Sequence, residues 1–344
     1  MRQPAHRQAN YSAPDVRAVV LTEHGAPEVL RISDTPAPVP GPDEILVDIE
    51  HTAVNRADVL QRMGLYRDPR KPAVEIPGLE FAGTVAAAGE RVAEWSVGDA
   101  VMGIEAGGCY AEQVVTHARQ AMPVPDGIDR GDAAAIPEVF LTAWDALVVQ
   151  GGLTSGRWAL VHAGASGVGT AAIQIAKAIG ANIAVTCSAG KVDACSDLGA
   201  DLVLERSPAD WLGELTDALG PRRVAGIDVV LDVVGGDEIN RNLAAVRTQG
   251  RIIQVGLLGG GTTAVDVGAL LMKRITWTGT TLRARPLEEK LAICRRFTAE
   301  VSPLFTTGAL KPIIDRRFPL GEVAEAHRVM EANANVGKLL VDVR

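Results

Sequence analysis

Apolar and polar positions along the chain keep two rhythms. Between Arg17 and Tyr110 the apolar residues come in short, strand-length runs. These are Ala18-Val19-Val20-Leu21, Ile45-Leu46-Val47-Asp48-Ile49, Phe81-Ala82-Gly83-Thr84-Val85 and Gly98-Asp99-Ala100-Val101-Met102. Pro36, Pro38, Pro40, Pro42 and several glycines interrupt them. That punctuation predicts an antiparallel, barrel-like region. Composition turns helical around residues 133–150. From Arg157 strands and helices alternate, with strand-like runs at 183–186, 200–205, 227–233 and 251–255. The alternation predicts a parallel, doubly wound sheet, so the fold class is α/β with a β-rich partner. Residues 287–299 are helical. Lys338-Leu339-Leu340-Val341-Asp342-Val343 is a strand-like tail, expected to return to the first domain.

One stretch of the alternating half carries chemistry. Leu160-Val161-His162-Ala163-Gly164-Ala165-Ser166-Gly167-Val168-Gly169 is an apolar run that feeds a glycine turn. Val168, Ala171, Ala172, Ile175 and Ile179 then recur at helical spacing, and Gly180 is placed to cap the end. A strand, a glycine turn and a helix make the unit that binds a dinucleotide. Its pyrophosphate rests on the bare N–H groups of the helix start, where the dipole favours negative charge. The turn reads Gly-x-Ser-Gly-x-Gly. Gly164 gives the tight turn, Gly169 the close helix packing, and Ser166 stands where a second glycine is usual.

Composition narrows the partners. The chain has 344 residues, enough for two domains, and a formal net charge of −8 with no basic run, which argues against nucleic acid. No apolar run is long enough to span a membrane. Cys109, Cys187, Cys195 and Cys294 form no C-x-x-C pair, so they read as free thiols in a reducing cytoplasm. Residues 1–15 are polar, lack a signal core and read as a disordered extension.

Several motifs, taken in order, resemble one family. They are Asn55-Arg56-Ala57-Asp58, Gly64-Leu65-Tyr66, Pro77-Gly78-Leu79-Glu80-Phe81-Ala82-Gly83, Gly98-Asp99-Ala100-Val101-Met102, Ala135-Ile136-Pro137-Glu138, Leu141-Thr142-Ala143-Trp144, the glycine turn, and Asn335-Val336-Gly337-Lys338. From about Arg17 onward the chain resembles the zinc-free quinone oxidoreductases of the medium-chain dehydrogenase/reductase superfamily, nearest the tumour-suppressor-inducible branch. The resemblance implies a GroES-like catalytic domain from both chain ends (16–138 and 283–344) around a Rossmann domain (139–282). It also implies hydride transfer from NADPH to quinones, and a homodimer.

The residues themselves bear on zinc. Zinc-dependent relatives use a Gly-His-Glu triplet, and here it reads Gly78-Leu79-Glu80. Leucine has no lone pair, no cysteine lies near Asn55, and the six histidines are scattered. A catalytic zinc needs three protein ligands and an open position, so no metal is expected.

Hydride transfer asks the protein for orientation, a dry slot and a donor near the developing oxyanion. Asn55, Asp58 and Tyr66 are the polar side chains in the segments matching the family's active-site cleft, and are the expected catalytic residues. Asn55 is suited to the nicotinamide ribose or a substrate carbonyl. Tyr66 can stack on a flat ring or donate its O–H, but can also simply cover the core. Asp58 reads equally well as a helix-start residue. Thr142 is expected at the nicotinamide amide, or else satisfying its own helix start. Gly256-Leu257-Leu258-Gly259-Gly260-Gly261 follows a strand, where small residues let backbone approach the nicotinamide, with Gly256 and Leu258 as contacts. Arg283 is expected at the cofactor's phosphates, or else as an ordinary surface arginine, and Asn335 and Lys338 complete the cofactor set.

Cofactor choice is legible after the second strand. Val185-Thr186-Cys187-Ser188-Ala189-Gly190-Lys191 holds no carboxylate where NAD enzymes keep one for the ribose 2′-OH. Ser188, Lys191 and Arg206 suit a 2′-phosphate instead, which predicts NADPH. The family branch carries Gly-Ser at 188–189 and a tyrosine at 206, so this chain differs there. Two other functions fit the same residues. One is an enoyl or alkenal reductase acting on an enone, with Tyr66 as proton donor. The other is a nucleotide-binding protein with little turnover.

Overall fold

The computed structural model describes residues 15–206, 210–220 and 226–344. The extension expected at 1–15 lies outside them, except that Asp15 already opens a strand. Strands β1 (Asp15–Leu21) and β2 (Leu30–Pro36) form an antiparallel pair. The next five are β3 (Glu44–Val54), β4 (Glu80–Ala88), β5 (Ala100–Ile104), β6 (Gln113–His117) and β7 (Met122–Pro123). The middle of the chain supplies β8 (Trp158–His162), β9 (Asn182–Cys187), β10 (Leu202–Glu205), β11 (Ile227–Asp232), β12 (Val246–Gln254) and β13 (Thr276–Gly279). β14 (Ile314–Pro319) and β15 (Lys338–Asp342) close the list.

Two larger sheets result. β8 to β13 build a six-stranded parallel sheet in the order β10-β9-β8-β11-β12-β13. This is the doubly wound dinucleotide order, with its switch point between β8 and β11. β9 and β11 are buried on nearly every residue, as a sheet covered on both faces requires. The second sheet has seven strands in the order β14-β15-β3-β4-β5-β7, with β6 also on β3. Here β3 alternates half-buried and buried positions from Glu44 to Ile49, the period-two signature of one wetted face, and is buried at its end. β15 pairs antiparallel with β3, so the tail does return to the first sheet. Glycine carries the tight approach of β4 to β3: a Cβ on Gly83 would lie 2.0 Å from the Asp48 carbonyl oxygen.

The largest core joins both sheets. It holds Ala82, Met102, Met122 and Leu340 of the mixed sheet together with Phe140, Val161, Ile173 and Phe305. The helix Pro137–Trp144 runs through this junction, with proline in its first turn, where a missing N–H costs nothing. It continues into a π-helical turn at Asp145–Gln150, a feature common near functional sites. No helix of the described residues is long and apolar enough to cross a membrane.

Candidate active site

The nucleotide cradle forms where β8 meets its helix, Gly167–Ala178. Ala163 takes a left-handed φ of 60° to start the turn. Ser166 caps the helix, its hydroxyl accepting the Gly169 N–H at 3.1 Å. The glycines are sterically required. A Cβ on Gly164 would lie 2.6 Å from Val185 Cβ, and one on Gly169 would lie 2.4 Å from the Ala163 carbonyl oxygen. Behind the turn a buried network braces the switch point. His162 pairs with Thr186 Oγ1 at 2.9 Å and Asn242 Oδ1 at 2.7 Å. Asn242 in turn donates to Asp232 at 3.0 Å.

The loop 335–338 clasps this turn. Gly337 N–H donates to the Ala165 carbonyl at 2.9 Å. A Cβ on Gly167 would stand 2.8 Å from both the Lys338 stem and Val139. Asn335 is buried and donates to the Gly337 carbonyl at 2.7 Å, so it shapes the loop. Lys338, expected as part of the cofactor set, packs its stem against the turn but not its charge. Its ammonium turns inward and donates to Asn55 Oδ1 (2.6 Å), Glu80 Oε1 (2.7 Å) and the Val54 carbonyl (3.2 Å), which takes up all three of its protons.

Asn55 is the hinge of this cluster, donating its own amide to Glu80 Oε1 at 2.8 Å. It also caps the helix Arg56–Arg62 in a reciprocal capping box with Asp58. Asp58 therefore differs from the catalytic expectation. It is fully buried, and its oxygens take the N–H groups of Asn55 (2.8 Å) and Gly78 (3.2 Å) and the Tyr110 hydroxyl (3.2 Å). Burial pushes its carboxyl up to about 6. Tyr110 passes on to His327 Nε2 at 3.1 Å, and burial pushes His327 down to about 3, which keeps its ring neutral. Asp58 is thus a positioning residue with no face toward a substrate.

Two clefts share the 256–261 loop. One, of about 550 Å³, has Arg56, Leu60 and Leu65 on one wall and Leu257, Leu258 and Gly260 on the other. The helix that follows Asn55 and the 256–261 loop thus face each other across this cleft. Arg56 is a lining residue that sequence reasoning passed over. Its guanidinium is held to the Met330 carbonyl and Asn333 Oδ1 at 2.6 Å each. The second cleft, of about 720 Å³, is lined by Gly256, Leu257, Thr280 and Thr281, with Asp145 and Arg285 paired at 2.5 Å at its edge. Tyr66 reaches this rim, its hydroxyl 2.8 Å from Thr281 Oγ1. Thr142 is buried in the junction helix, one turn before Asp145.

Arg283 departs from expectation most. It is buried, not a surface arginine, and donates to the Ala106 carbonyl (2.6 Å), the Tyr66 carbonyl (2.9 Å) and Gln61 Oε1 (2.6 Å). Its guanidinium also stacks over the Tyr66 ring at 5.0 Å. Its role is to fix the Tyr66 loop. Ser188, Lys191 and Arg206, by contrast, gather at the sheet's C-terminal edge. Ser188 and Arg206 are exposed, and the Arg206 N–H donates to the Cys187 carbonyl at 2.8 Å. Lys191 leans on the carbonyls of Asn333 (2.8 Å) and Asn335 (2.6 Å), which links this edge to the clasping loop.

Known proteins share this arrangement. The sequence-family models described as zinc-binding dehydrogenase and alcohol dehydrogenase GroES-like domain match residues 167–296 and 41–126. The rat synaptic vesicle membrane protein VAT-1 homolog is 30% identical over 96% of this chain and 84% of its own length. Human quinone oxidoreductase is 29% identical over 95% of this chain and 97% of its own. The crystal structure of Escherichia coli quinone oxidoreductase complexed with NADPH superposes with a TM-score of 0.84 at 29% identity, covering 96% of this chain and all of that one. Fold order, glycine turn and relatives agree: the chain belongs to the zinc-free quinone oxidoreductase family of the medium-chain dehydrogenase/reductase superfamily.

Proposed function

We propose that this protein is an NADPH-dependent quinone oxidoreductase that works without metal. The observation that carries the reading is the cleft between the Asn55 helix and the 256–261 loop, in a chain that also carries an intact dinucleotide turn. The bound dinucleotide supplies the hydride. The chain supplies the rest. Gly164, Ser166, Gly167, Val168 and Gly169 present the helix N-terminus to the pyrophosphate. Ser188, Lys191 and Arg206 hold the 2′-phosphate. Gly256 and Leu258 let backbone approach the nicotinamide, and Thr142 faces its amide. Asn55, held by Lys338 and Glu80, presents an amide to the acceptor, while Tyr66 offers a ring face and a hydroxyl.

The argument against metal is chemical. At the triplet, Leu79 is buried and apolar. The oxygens of Asn55 and Glu80 are already claimed by the Lys338 ammonium, and a cation beside that charge would be repelled. Turnover of ortho- and para-quinones with NADPH is expected to survive prolonged chelation unchanged. Loss of turnover on chelation, restored by zinc, would contradict this. Turnover restricted to enones would favour the alkenal reductase instead.

The sheet edge supports a dimer. β13 pairs on one side only, and Trp277 on it is 41% exposed. Beside it the helix Val267–Lys273 exposes Val267, Leu271 and Met272. An open apolar edge is a liability unless covered, and a second copy covers it by symmetry. Light scattering at micromolar concentration is expected to give twice the chain mass, and Trp277→Lys to give monomer. A monomeric unaltered protein would overturn this. The described cysteines are buried and unpaired, which supports a reducing, cytoplasmic setting.

A further inference from the structure

Glu138 stands at the start of the junction helix. Its N–H donates to Glu80 Oε2 at 2.9 Å, which fixes it beside the Asn55–Glu80–Lys338 cluster. Its neighbour Val139 touches the Gly167 site of the nucleotide turn. The residue therefore lies between the cradle and the cluster. Its carboxyl differs from those around it. Asp58 and Glu80 have donors on both oxygens. The Glu138 carboxyl accepts a hydrogen bond from no described residue, and the residue is half-buried with a face left open.

A carboxylate in such a place ordinarily collects donors, so one without them is better neutral. The charged groups that face it are Glu80 on β4, Asp58 on the helix Arg56–Arg62, Lys338 on β15, and Arg283. Burial first, and the Glu80 charge next, push its carboxyl up to about 8, against the pull of Lys338. A carboxylic acid with that affinity holds its proton at neutral pH and releases it readily, as a general acid must.

We propose that Glu138 is the catalytic acid that protonates the reduced quinone. The step rests on the quinone reading above. The quinone takes a hydride, one proton with two electrons, from the dihydronicotinamide, which is oxidised, and becomes the hydroquinone monoanion. The Glu138 O–H bond then breaks and a new O–H bond forms on the quinone oxygen. The electron pair stays on Glu138 as carboxylate, and water at its open face returns the proton.

Infrared titration of the cofactor-free protein gives the first test. A protonated-carboxyl band is expected at neutral pH, titrating near pH 8 and missing from Glu138→Gln. Kinetics give the second. Glu138→Gln is expected to lower kcat for quinones about 100-fold and to erase the alkaline limb, while NADPH binding, read by fluorescence, is unchanged. Glu138→Asp, which keeps an acid, should recover part of the rate and the limb. No band at neutral pH, or a Gln variant with the unaltered rate and pH profile, overturns the proposal. A failure of the quinone reading looks different: the unaltered protein then oxidises NADPH with no quinone, whatever stands at 138.

Discussion

Replacing Lys338 by methionine is expected to destabilise the protein by about 3–5 kcal/mol, the cost of leaving a buried charge without its partner. The lysine is 2% exposed and Glu80 fully buried, so water cannot take over when the ammonium goes. Three oxygens lose the ammonium as a donor at once, on Val54, Asn55 and Glu80, and Glu80 Oε1 keeps only the Asn55 amide. The damage also reaches the nucleotide turn, because the Lys338 stem packs against Gly167. Urea denaturation measures the loss. The double variant Lys338→Met with Glu80→Gln should regain much of it, since a neutral amide leaves no charge stranded. A single variant within about 1 kcal/mol of the unaltered protein would mean the pair contributes little.

Arg206→Ala is expected to raise KM for NADPH by about tenfold to 100-fold, the worth of a charge-assisted phosphate contact of about 1.5–3 kcal/mol, and to leave NADH unchanged. Arg206 is exposed and its guanidinium has no partner among the described residues, so removing it disturbs nothing else. Lys191→Ala behaves differently. Its ammonium ties the sheet edge to the carbonyls of Asn333 and Asn335, so its loss loosens the clasping loop as well. We therefore expect it to weaken NADPH strongly and NADH modestly. Steady-state KM values for both cofactors check this. Equal use of NADPH and NADH by the unaltered protein would refute the assignment.

What the sequence revealed follows from how local each signal is. The glycine turn is legible because strand, turn and helix are contiguous, although only Gly169 answers to a clash within the turn itself, while Gly164 meets Val185 and Gly167 meets Lys338 and Val139. Asp58 was legible as a helix-start residue beside its catalytic reading, but its reciprocal capping box with Asn55, an Asn followed three residues on by an acid, was passed over. The Glu80–Lys338 pair was not. Its members lie 258 residues apart, and only the pairing of β15 with β3 brings them together. Arg283 misled for a related reason. An arginine after a strand reads as a surface residue, but here the fold buries it beneath the Tyr66 loop. Glu138 was visible only as part of a motif. Its character depends on the carboxylates of Asp58 and Glu80, which come from other elements.

The central claim, a dinucleotide turn delivering hydride to a quinone in the Asn55 cleft, is tested most directly by single turnover. Enzyme, NADPH and an equimolar quinone are mixed, and NADPH absorbance and hydroquinone yield are followed together. The account predicts one hydroquinone formed per NADPH oxidised, at a rate lost when Gly169→Val closes the turn. NADPH that binds yet is oxidised by neither ortho- nor para-quinones would contradict it.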